Sequence, residues 1–255
     1  MKFQLLLISL FILFSCKKEV VVSSVSSKTV SPPSNSTSLI DSVESVNLKF
    51  NKVIKYGKLI DVSGNIYQTV VIGGRVWMAE NLRTVKFNNG DEIPSFISEN
   101  TDVSLVDSPL CYWSLDPDST KINYANLYTW YVINDKRGIC PLGWAVPTLN
   151  EWMAMIDTLG GNILGGKSIK EVGFNHWSTT NVDATNSSGF TAVGSGYRTK
   201  NGELYFQNES ANWWTSNEYF NDFAWVISVK SANKSVEKSN LFSKKDALSV
   251  RCIKK

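Results

Sequence analysis

Behind its N-terminal region, the chain consists of short hydrophobic runs that are separated by polar turn-forming residues and glycines. Residues 59–62 and 66–72 are two such runs, and a Ser-Gly-Asn segment at residues 63–65 stands between them. Two apolar runs joined by a short glycine-containing turn are typical of a β-hairpin. The glycine pair 73–74 predicts a second turn, which leads into a further short strand at residues 76–78.

Two segments show the spacing of a helix instead. Apolar residues recur at i, i+3 and i+4 within residues 124–132 and predict a helix there. A second helix is predicted to begin at Thr148, because Thr148 and Glu151 have the spacing of a capping box. The glycine pair 160–161 is expected to end it. The apolar face of this second helix consists of Leu149, Trp152, Met153 and Ile156.

The C-terminal part of the chain is rich in turns and carries short aromatic runs, such as residues 212–215 and 223–229. These runs predict strands and loops rather than helices. No internal repeat is present at the periods of solenoids or propellers. The pattern therefore predicts an α+β domain with few helices and short, loop-rich strands.

A hydrophobic segment at the N-terminus has the length of a signal peptide. Lys2 precedes it, residues 5–14 are almost entirely apolar, and Cys16 follows directly. Such a run is too short to span a bilayer. Residues 13–16 resemble the lipobox of bacterial lipoproteins, so residues 1–15 are predicted to be a signal peptide and Cys16 to be lipidated. The alternatives are an ordinary signal peptide, in which Cys16 is incidental, and an uncleaved short anchor.

The segment that follows is predicted to be a lipidated, flexible tether over residues 16–46. Ten of the thirty residues 17–46 are serine and none is aromatic, so the segment buries too little apolar surface to offset chain entropy. A β-prone edge segment is the alternative, because valines cluster at residues 20–25. An acylated Cys16 would anchor the chain to a membrane, and residues 47–255 would form a domain outside the cytoplasm, in the periplasm or at the cell surface.

Composition and charge narrow the possible classes of protein. The chain has 255 residues, of which 43% are hydrophobic and nine are tryptophan. This composition suits one or two folded domains. The formal net charge is +3, and loss of residues 1–15 removes Lys2 and leaves +2. A nucleic-acid-binding protein would show a strong basic patch, so nucleic acid is not an expected partner.

Six segments between residues 61 and 252 carry a family resemblance. They are residues 61–84 (DVSGNIYQTVVIGGRVWMAENLRT), 124–130 (YANLYTW), 138–152 (GICPLGWAVPTLNEW), 189–198 (GFTAVGSGYR), 213–218 (WWTSNE) and 249–252 (SVRC). In this order they resemble the Fibrobacter succinogenes major paralogous domain, a family of bacterial surface-associated proteins. The resemblance implies a C-type-lectin-like fold, related to the scaffold of formylglycine-generating enzymes, but it implies no particular ligand.

Two of the family-like segments each contain a cysteine, Cys140 and Cys252. An exported domain folds in an oxidising compartment, which permits disulfides. The placement in these segments predicts a disulfide between Cys140 and Cys252. Cys111 is then left over and is expected to be a packed thiol. The alternative is that all three residues are buried thiols.

The constellations that catalysis needs are missing from the sequence. His176 is the single histidine and no CxxC pair is present, which excludes the usual zinc ligand sets. Residues 194–196 (GSG) lack the spacing of a nucleophile elbow. Cys252 stands alone, whereas formylglycine-generating enzymes depend on a cysteine pair. We therefore expect no enzyme, metal or cofactor, and we expect His176 to be a packed or capping residue.

Tryptophans are the better candidates for function. Aromatic faces stack on the C–H faces of sugars and supply interface area, although they also fill cores. Two oxygen-rich turns at residues 116–118 and 221–222 offer ligands of the kind that Ca²⁺ prefers, but solvated turns are the favoured interpretation. The predicted ligand-binding residues are Trp113, Trp177, Trp213 and Trp214.

These observations predict a lipid-anchored surface protein whose lectin-like domain binds a glycan, a peptide or a partner protein without catalysis. The alternative is a structural or adhesion protein without a discrete ligand site. An enzyme related to formylglycine-generating enzymes is the least favoured of the three.

Replacement of Cys16 by serine tests the predicted anchor. Acylation should be abolished and the protein should leave the membrane fraction, because the acyl chains would supply the apolar surface that holds it there. The measurement is metabolic labelling with a fatty acid, followed by membrane fractionation. A Cys16→Ser protein that is still acylated, or still fully in the membrane fraction, would contradict the prediction.

Overall fold

The computed structural model describes residues 45–95, 110–116 and 121–255. The predicted signal peptide, Cys16 and the predicted tether as far as residue 44 lie outside these residues. Over the described part of the chain, no helix combines the length and the apolar character needed to cross a membrane.

The described residues form a mostly β structure with few helices. The helices are α1 (Trp130–Ile133), α2 (Leu149–Thr158) and α3 (Gly161–Ile169). The strands are β1 (Ser45–Val46), β2 (Gly57–Ile60), β3 (Ile66–Ile72), β4 (Arg75–Met78), β5 (Tyr112–Ser114), β6 (Lys121–Ile122), β7 (Asn126–Thr129), β8 (Trp144–Ala145), β9 (Tyr197–Arg198), β10 (Leu204–Tyr205), β11 (Ser210–Phe220), β12 (Phe223–Lys230), β13 (Val236–Ser243), β14 (Ala247–Leu248) and β15 (Ile253–Lys254).

The predicted hairpin is confirmed, and it opens a five-stranded sheet in the order β2-β3-β4-β15-β8. The turn between β2 and β3 is held by the carboxylate of Asp61, which accepts the backbone N–H groups of Ser63 (2.8 Å) and Asn65 (3.0 Å). Such Asx turns fix a chain reversal locally. On the other side of β4, Ile253 of β15 pairs with Trp77, so the last strand of the chain lies in the sheet that the hairpin opens.

Two further sheets complete the main β structure. One has the order β10-β9-β14-β7-β5, and the other is the antiparallel sheet β11-β12-β13. The predicted aromatic strands at residues 212–215 and 223–229 lie in β11 and β12. A short parallel pair of β1 and β6 is separate from these sheets.

The helix predicted over residues 124–132 is wrong for most of its length. Asn126–Thr129 forms strand β7, which pairs with β5 and β14, and only Trp130–Ile133 is helical. All four residues of β7 are buried. A strand that is buried on both faces shows no alternation of apolar and polar residues, so the spacing of Leu127, Trp130 and Tyr131 imitates a helix.

Helix α2 begins at the predicted capping box. Thr148 Oγ1 accepts the N–H of Glu151 (3.1 Å), and the Glu151 carboxylate accepts the N–H of Thr148 (2.8 Å). The helix ends at Thr158, close to the predicted glycine pair. A third helix, α3, begins at Gly161 and was not predicted, because its glycine-rich sequence has little helical character.

Glycine is required inside α3 because the helix lies directly against the approach to β13. The N–H of Gly166 donates to the carbonyl of Lys234 (2.9 Å). A Cβ atom on Gly166 would lie 2.6 Å from the carbonyl oxygen of Ser235, which is closer than real contacts allow. Tertiary packing therefore decides this helix against its intrinsic propensity.

Aromatic residues fill the core beneath the first sheet and α2. The ring centroids of Trp77 and Trp152 are 5.1 Å apart, and those of Trp152 and Trp213 are 5.5 Å apart. Phe190 meets Trp213 edge to face at 5.6 Å. Rings in these tilted and edge-to-face arrangements add stability beyond the apolar area that they bury.

The guanidinium of Arg251 connects this core to the chain around it. It is fully buried, and it donates to Asn81 Oδ1 (2.7 Å). It also donates to the backbone carbonyls of Met78 (3.1 Å), Phe190 (2.8 Å) and Thr191 (3.1 Å). Burial lowers the pKa of Arg251, but an arginine keeps its charge at neutral pH.

The predicted disulfide joins Cys140 and Cys252, whose Cα atoms are 5.9 Å apart. It connects residues that are 112 positions apart in the sequence. Cys111 is a free, buried cysteine, as expected for a packed thiol. Burial raises the pKa of its thiol to about 12, so it stays protonated and unreactive at neutral pH.

Removal of the disulfide should destabilise the domain. The change of both Cys140 and Cys252 to alanine should lower the free energy of unfolding by about 2–5 kcal/mol, since the unfolded chain regains the entropy of a long loop. Chemical denaturation measures this difference. Wild-type protein in excess reductant is the matched control and should unfold like the double variant. Equal midpoints for oxidised wild type and the double variant would refute the stabilising role.

Candidate functional site

The tryptophans predicted to bind a ligand lie in the core instead. Their side chains are not accessible to a ligand, because each residue is between 0% and 2% exposed. The structure thus corrects this prediction in favour of the alternative that tryptophans fill the core. The four residues are Trp113, Trp177, Trp213 and Trp214.

Hydrogen bonds inside the protein explain why indoles are tolerated there. The Nε1–H of Trp177 donates to the carbonyl of Ala192 (2.9 Å), and that of Trp214 donates to the carbonyl of Tyr128 (2.8 Å). A buried polar group costs little free energy once it has such a partner. These indoles therefore fill the core, and their N–H groups have hydrogen-bond partners there.

The first oxygen-rich turn uses its carboxylate to hold the backbone. Asp116 accepts the N–H groups of Asn123 (3.0 Å), Tyr124 (3.1 Å) and Ala125 (2.8 Å). The other aspartate of this turn, Asp118, lies outside the described residues. Asp116 is thus engaged by three amides, which favours the interpretation of a structural turn over that of a Ca²⁺ ligand.

The second oxygen-rich turn already contains a cation. The ammonium of Lys244 donates to the carbonyl of Asn221 (2.6 Å) and pairs with the carboxylate of Glu218. It also lies 4.7 Å from the ring centroid of Trp130. Within the ranges that the structure describes, no group of three or more His, Cys, Asp or Glu side chains is placed to hold a metal ion.

Lys170 occupies a similar cage of oxygens deeper in the domain. It is fully buried, and its Nζ donates to the carbonyls of Val182 (2.9 Å), Lys230 (3.2 Å) and Asn233 (2.7 Å). Desolvation lowers the pKa of this ammonium to about 8. The ammonium thus connects the loop at Val182 to the end of β12 at Lys230 and to the turn at Asn233. A bound inorganic cation would connect these carbonyls in the same way.

His176 is packed, as predicted, but its partner was not foreseen. Its Nδ1 lies 2.7 Å from Glu171 Oε2, and both side chains are buried. The other oxygen of Glu171 accepts the N–H of Lys49 (2.6 Å). The pair therefore holds the N-terminal segment of the domain against its body. An irregular segment separates the two residues, so no sequence period could have linked them.

The free edge of His176 faces polar and aromatic groups. Its Nε2 is 3.4 Å from Asn123 Oδ1, and its ring meets that of Tyr124 edge to face at 5.2 Å. The hydroxyl of Tyr124 donates to Asn208 Oδ1, and burial raises the pKa of Tyr124 to about 12, so this hydroxyl stays protonated at neutral pH. The contacts of this pair fit packing and positioning better than acid–base chemistry.

A cluster of three aromatic rings, two of them exposed, forms the best candidate for a ligand surface. Tyr197, Tyr205 and Phe206, which we call the aromatic platform, have ring centroids 6.1–6.2 Å apart. Their planes differ by 30–41°, so the rings lie side by side rather than stacked. Tyr205 is 41% and Phe206 is 53% exposed. Phe242 supports Tyr197 from the side, edge to face at 5.0 Å.

The loop that begins at Phe206, directly after β10, is held in a strained conformation. Phe206 and Asn208 have φ values of 57° and 65°, in the left-handed region that costs energy for a bulky side chain. The N–H of Asn208 donates to the carbonyl of Gly194 (2.6 Å). A Cβ atom on Gly196 would lie 2.2 Å from the carbonyl oxygen of Tyr205. The glycines of the GSG segment thus let this loop approach closely.

Polar groups lie beside the platform. The hydroxyl of Tyr205 donates to Glu203 Oε2 (2.9 Å), and the carboxylate raises the pKa of Tyr205, which keeps the hydroxyl protonated. The hydroxyl of Tyr124 donates to Asn208 Oδ1. Glu203 and Asn208 are both exposed. Flat apolar rings with hydrogen-bonding groups at their edge suit an amphipathic ligand.

The family resemblance is confirmed. The geometry defines the protein as a mostly β domain that carries an aromatic platform. A family model described as Fibrobacter succinogenes major domain matches residues 70–254. The match covers more than half of the chain, so this protein belongs to that family. No curated protein and no solved structure matches the chain.

The platform residues are not among the ligand-binding residues that the sequence predicts, although the sequence carries signals for them. Tyr197 lies in a family-like segment, where it was not distinguished from core positions. Residues 204–206 form a short apolar run between Gly202 and Asn208, both of which favour turns. Apolar residues so close to two turn signals are expected at a loop tip, where they reach solvent.

Lys170 should give the protein a specific dependence on pH. Its pKa is lowered from 10.5 to about 8, so over this range the unfolded chain holds a proton that the folded protein releases. The free energy of unfolding should therefore gain about 1–3 kcal/mol from this residue as pH rises from 8 to 10.5. Chemical denaturation across this range measures the gain.

The variant Lys170→Met is the control, because other groups titrate over the same pH range. It should be less stable than wild type at pH 7, since three buried carbonyls lose their donor. The difference between wild type and variant should grow as pH rises. A difference that is constant from pH 8 to 10.5 would contradict the assignment.

Proposed function

We propose that this protein is a non-catalytic binding module that is displayed outside the cytoplasm, and that its aromatic platform binds a glycan. The observation that carries the proposal is the platform, in which the exposed rings of Tyr205 and Phe206 lie beside the half-buried ring of Tyr197 and the backbone after Tyr205 is pinned. Exposed aromatic clusters on a monomer commonly mark binding sites, because their burial by a ligand releases apolar surface from water.

The chemistry of the platform suits a sugar. The faces of aromatic rings pack against the C–H faces of pyranose rings. Glu203 accepts the hydroxyl of Tyr205 at the edge of the platform, and Asn208 lies two residues after Phe206. Their carboxylate and amide groups can form hydrogen bonds with sugar hydroxyls. A pinned loop loses little conformational entropy when the ligand binds.

We also propose how the domain is held outside the cytoplasm and which scaffold carries the platform. The lipobox-like residues 13–16 support a lipid anchor at Cys16, and the serine-rich segment behind it supports a tether between membrane and domain. The family resemblance implies a C-type-lectin-like scaffold, and a mostly β fold with few helices is compatible with it. Fold alone does not decide function, so the platform carries the claim.

A second candidate, an adhesion or structural protein, is favoured by another exposed surface. The β11–β12 hairpin and β13 expose a group of large apolar side chains that we call the hairpin patch. A patch of this kind suits contact with a protein partner. Its members are Tyr219, Phe220, Phe223 and Leu241, which are 52%, 65%, 38% and 81% exposed.

The variants Tyr205→Ala and Phe206→Asn test the platform. Asparagine tolerates the left-handed backbone of residue 206, so this change removes the ring without adding strain. A glycan array with wild-type protein identifies a ligand, and titration calorimetry then compares the variants. Each variant should weaken binding by roughly tenfold, which corresponds to the loss of one stacked ring.

Tyr219→Ala is the matched control, because it removes an exposed tyrosine from the hairpin patch. It should bind the glycan as wild type does. If wild type binds no glycan, or if Tyr219→Ala weakens binding while both platform variants do not, the platform is not the glycan site. The latter result would favour the hairpin patch instead.

A further inference from the structure

A small cleft lies between the β3–β4 turn, the start of α2 and strand β15. Its volume is about 220 Å³, which is below the range typical of sites for drug-sized ligands. None of the platform residues lines it, so whatever it binds is independent of the proposed glycan site. Its walls and floor are largely apolar and are formed by Ile72, Trp77, Ala154, Met155 and Ile253.

Charged side chains stand at the mouth of this cleft. Arg75 lies 3.4 Å and Lys255 lies 2.9 Å from Glu151 Oε1. Glu151 Oε2 is meanwhile occupied by the N–H of Thr148 in the capping box. Two cations therefore share one carboxylate, and both are about half exposed. The mouth carries an excess positive charge that an anion would balance.

The carboxylate of Glu151 stays ionised in this setting. Burial would raise its pKa, but hydrogen bonds from Thr148 and Lys255 hold the pKa of Glu151 below its ordinary value. The negative charge at the mouth is therefore fixed, and it keeps the guanidinium of Arg75 close to the cleft. Arg75 also donates a hydrogen bond to the carbonyl of Lys254 (3.1 Å), which further restricts the position of the guanidinium.

The indole of Trp77 is a natural reporter for the cleft. Trp77 lines the cleft, is 1% exposed, and has no partner for its Nε1–H among the described residues. The Nε1 atom is itself buried, so a ligand in the cleft contacts the indole ring and not the N–H, and the N–H signal can report that contact.

We propose that this cleft binds a small organic carboxylate with an apolar body. The body would contact Ile72, Met155 and Ile253, and the carboxylate would lie at the mouth against Arg75. The small volume limits the body to about the size of one ring or one short branched chain. A neutral molecule of the same shape would leave the excess positive charge unpaired.

Nuclear magnetic resonance of the indole N–H groups tests this proposal in the intact domain. The probe is benzoate, and the Trp77 Nε1–H signal is assigned by through-bond experiments. Benzoate should shift this signal in a saturable manner, whereas acetate, which lacks the apolar body, and benzamide, which lacks the charge, should each bind at least tenfold more weakly.

Two variants at exposed positions make the test independent of folding. Arg75→Gln should weaken benzoate binding by roughly tenfold, because a charge-assisted contact is lost. Ala154→Trp should abolish it by filling the cleft. Lys58→Gln, which removes an exposed cation from β2 outside the cleft, is the control and should bind as wild type does.

Any of three results would overturn the proposal. They are the absence of a saturable shift at Trp77 with benzoate, equal binding of benzamide and benzoate, and unchanged binding in Ala154→Trp. None of these results bears on the platform, because the glycan assay uses different residues.

Discussion

A buried positive charge at residue 251 is the interaction on which the rest of the domain depends. The guanidinium of Arg251 joins the segment that follows β4, through Asn81, to the segment at Phe190 and to the C-terminal strand. Asn81 in turn accepts the indole N–H of Trp213 (3.0 Å). Parts of the chain far apart in sequence thus meet at one cation. Loss of the cation would leave several buried acceptors unpaired, which costs more than the hydrogen bonds are worth.

The disulfide and the buried lysines extend this constraint toward the surface. Cys252 follows Arg251 directly, so its bond to Cys140 fixes the same strand to the segment before α2. Lys170 and Lys244 are held by backbone carbonyls and keep irregular loops in place. These devices give the domain a rigid frame with few helices. A rigid frame lets a loop hold exposed rings in a strained conformation, which favours binding by reducing the entropy lost.

Local sequence signals predicted the local structure well. The hairpin around Asp61 and the capping box at Thr148 were predictable because each is decided by residues a few positions apart. Strand β7 and helix α3 were not, because burial and the close approach of Gly166 decide them from across the fold. The same limit applies to the site. The sequence around a tryptophan such as Trp213 does not show whether its side chain is buried or exposed. Only the tertiary structure distinguishes the two cases.

Arg251 connects distant parts of the domain into one cooperative unit. Amide hydrogen exchange of Arg251→Gln, compared with wild type and with the exposed control Lys58→Gln, tests it most directly. We predict that protection falls together in β4, at residues 190–192 and in β15, because these segments lose a shared partner. Loss of protection that is confined to the immediate neighbours of residue 251 would contradict the account.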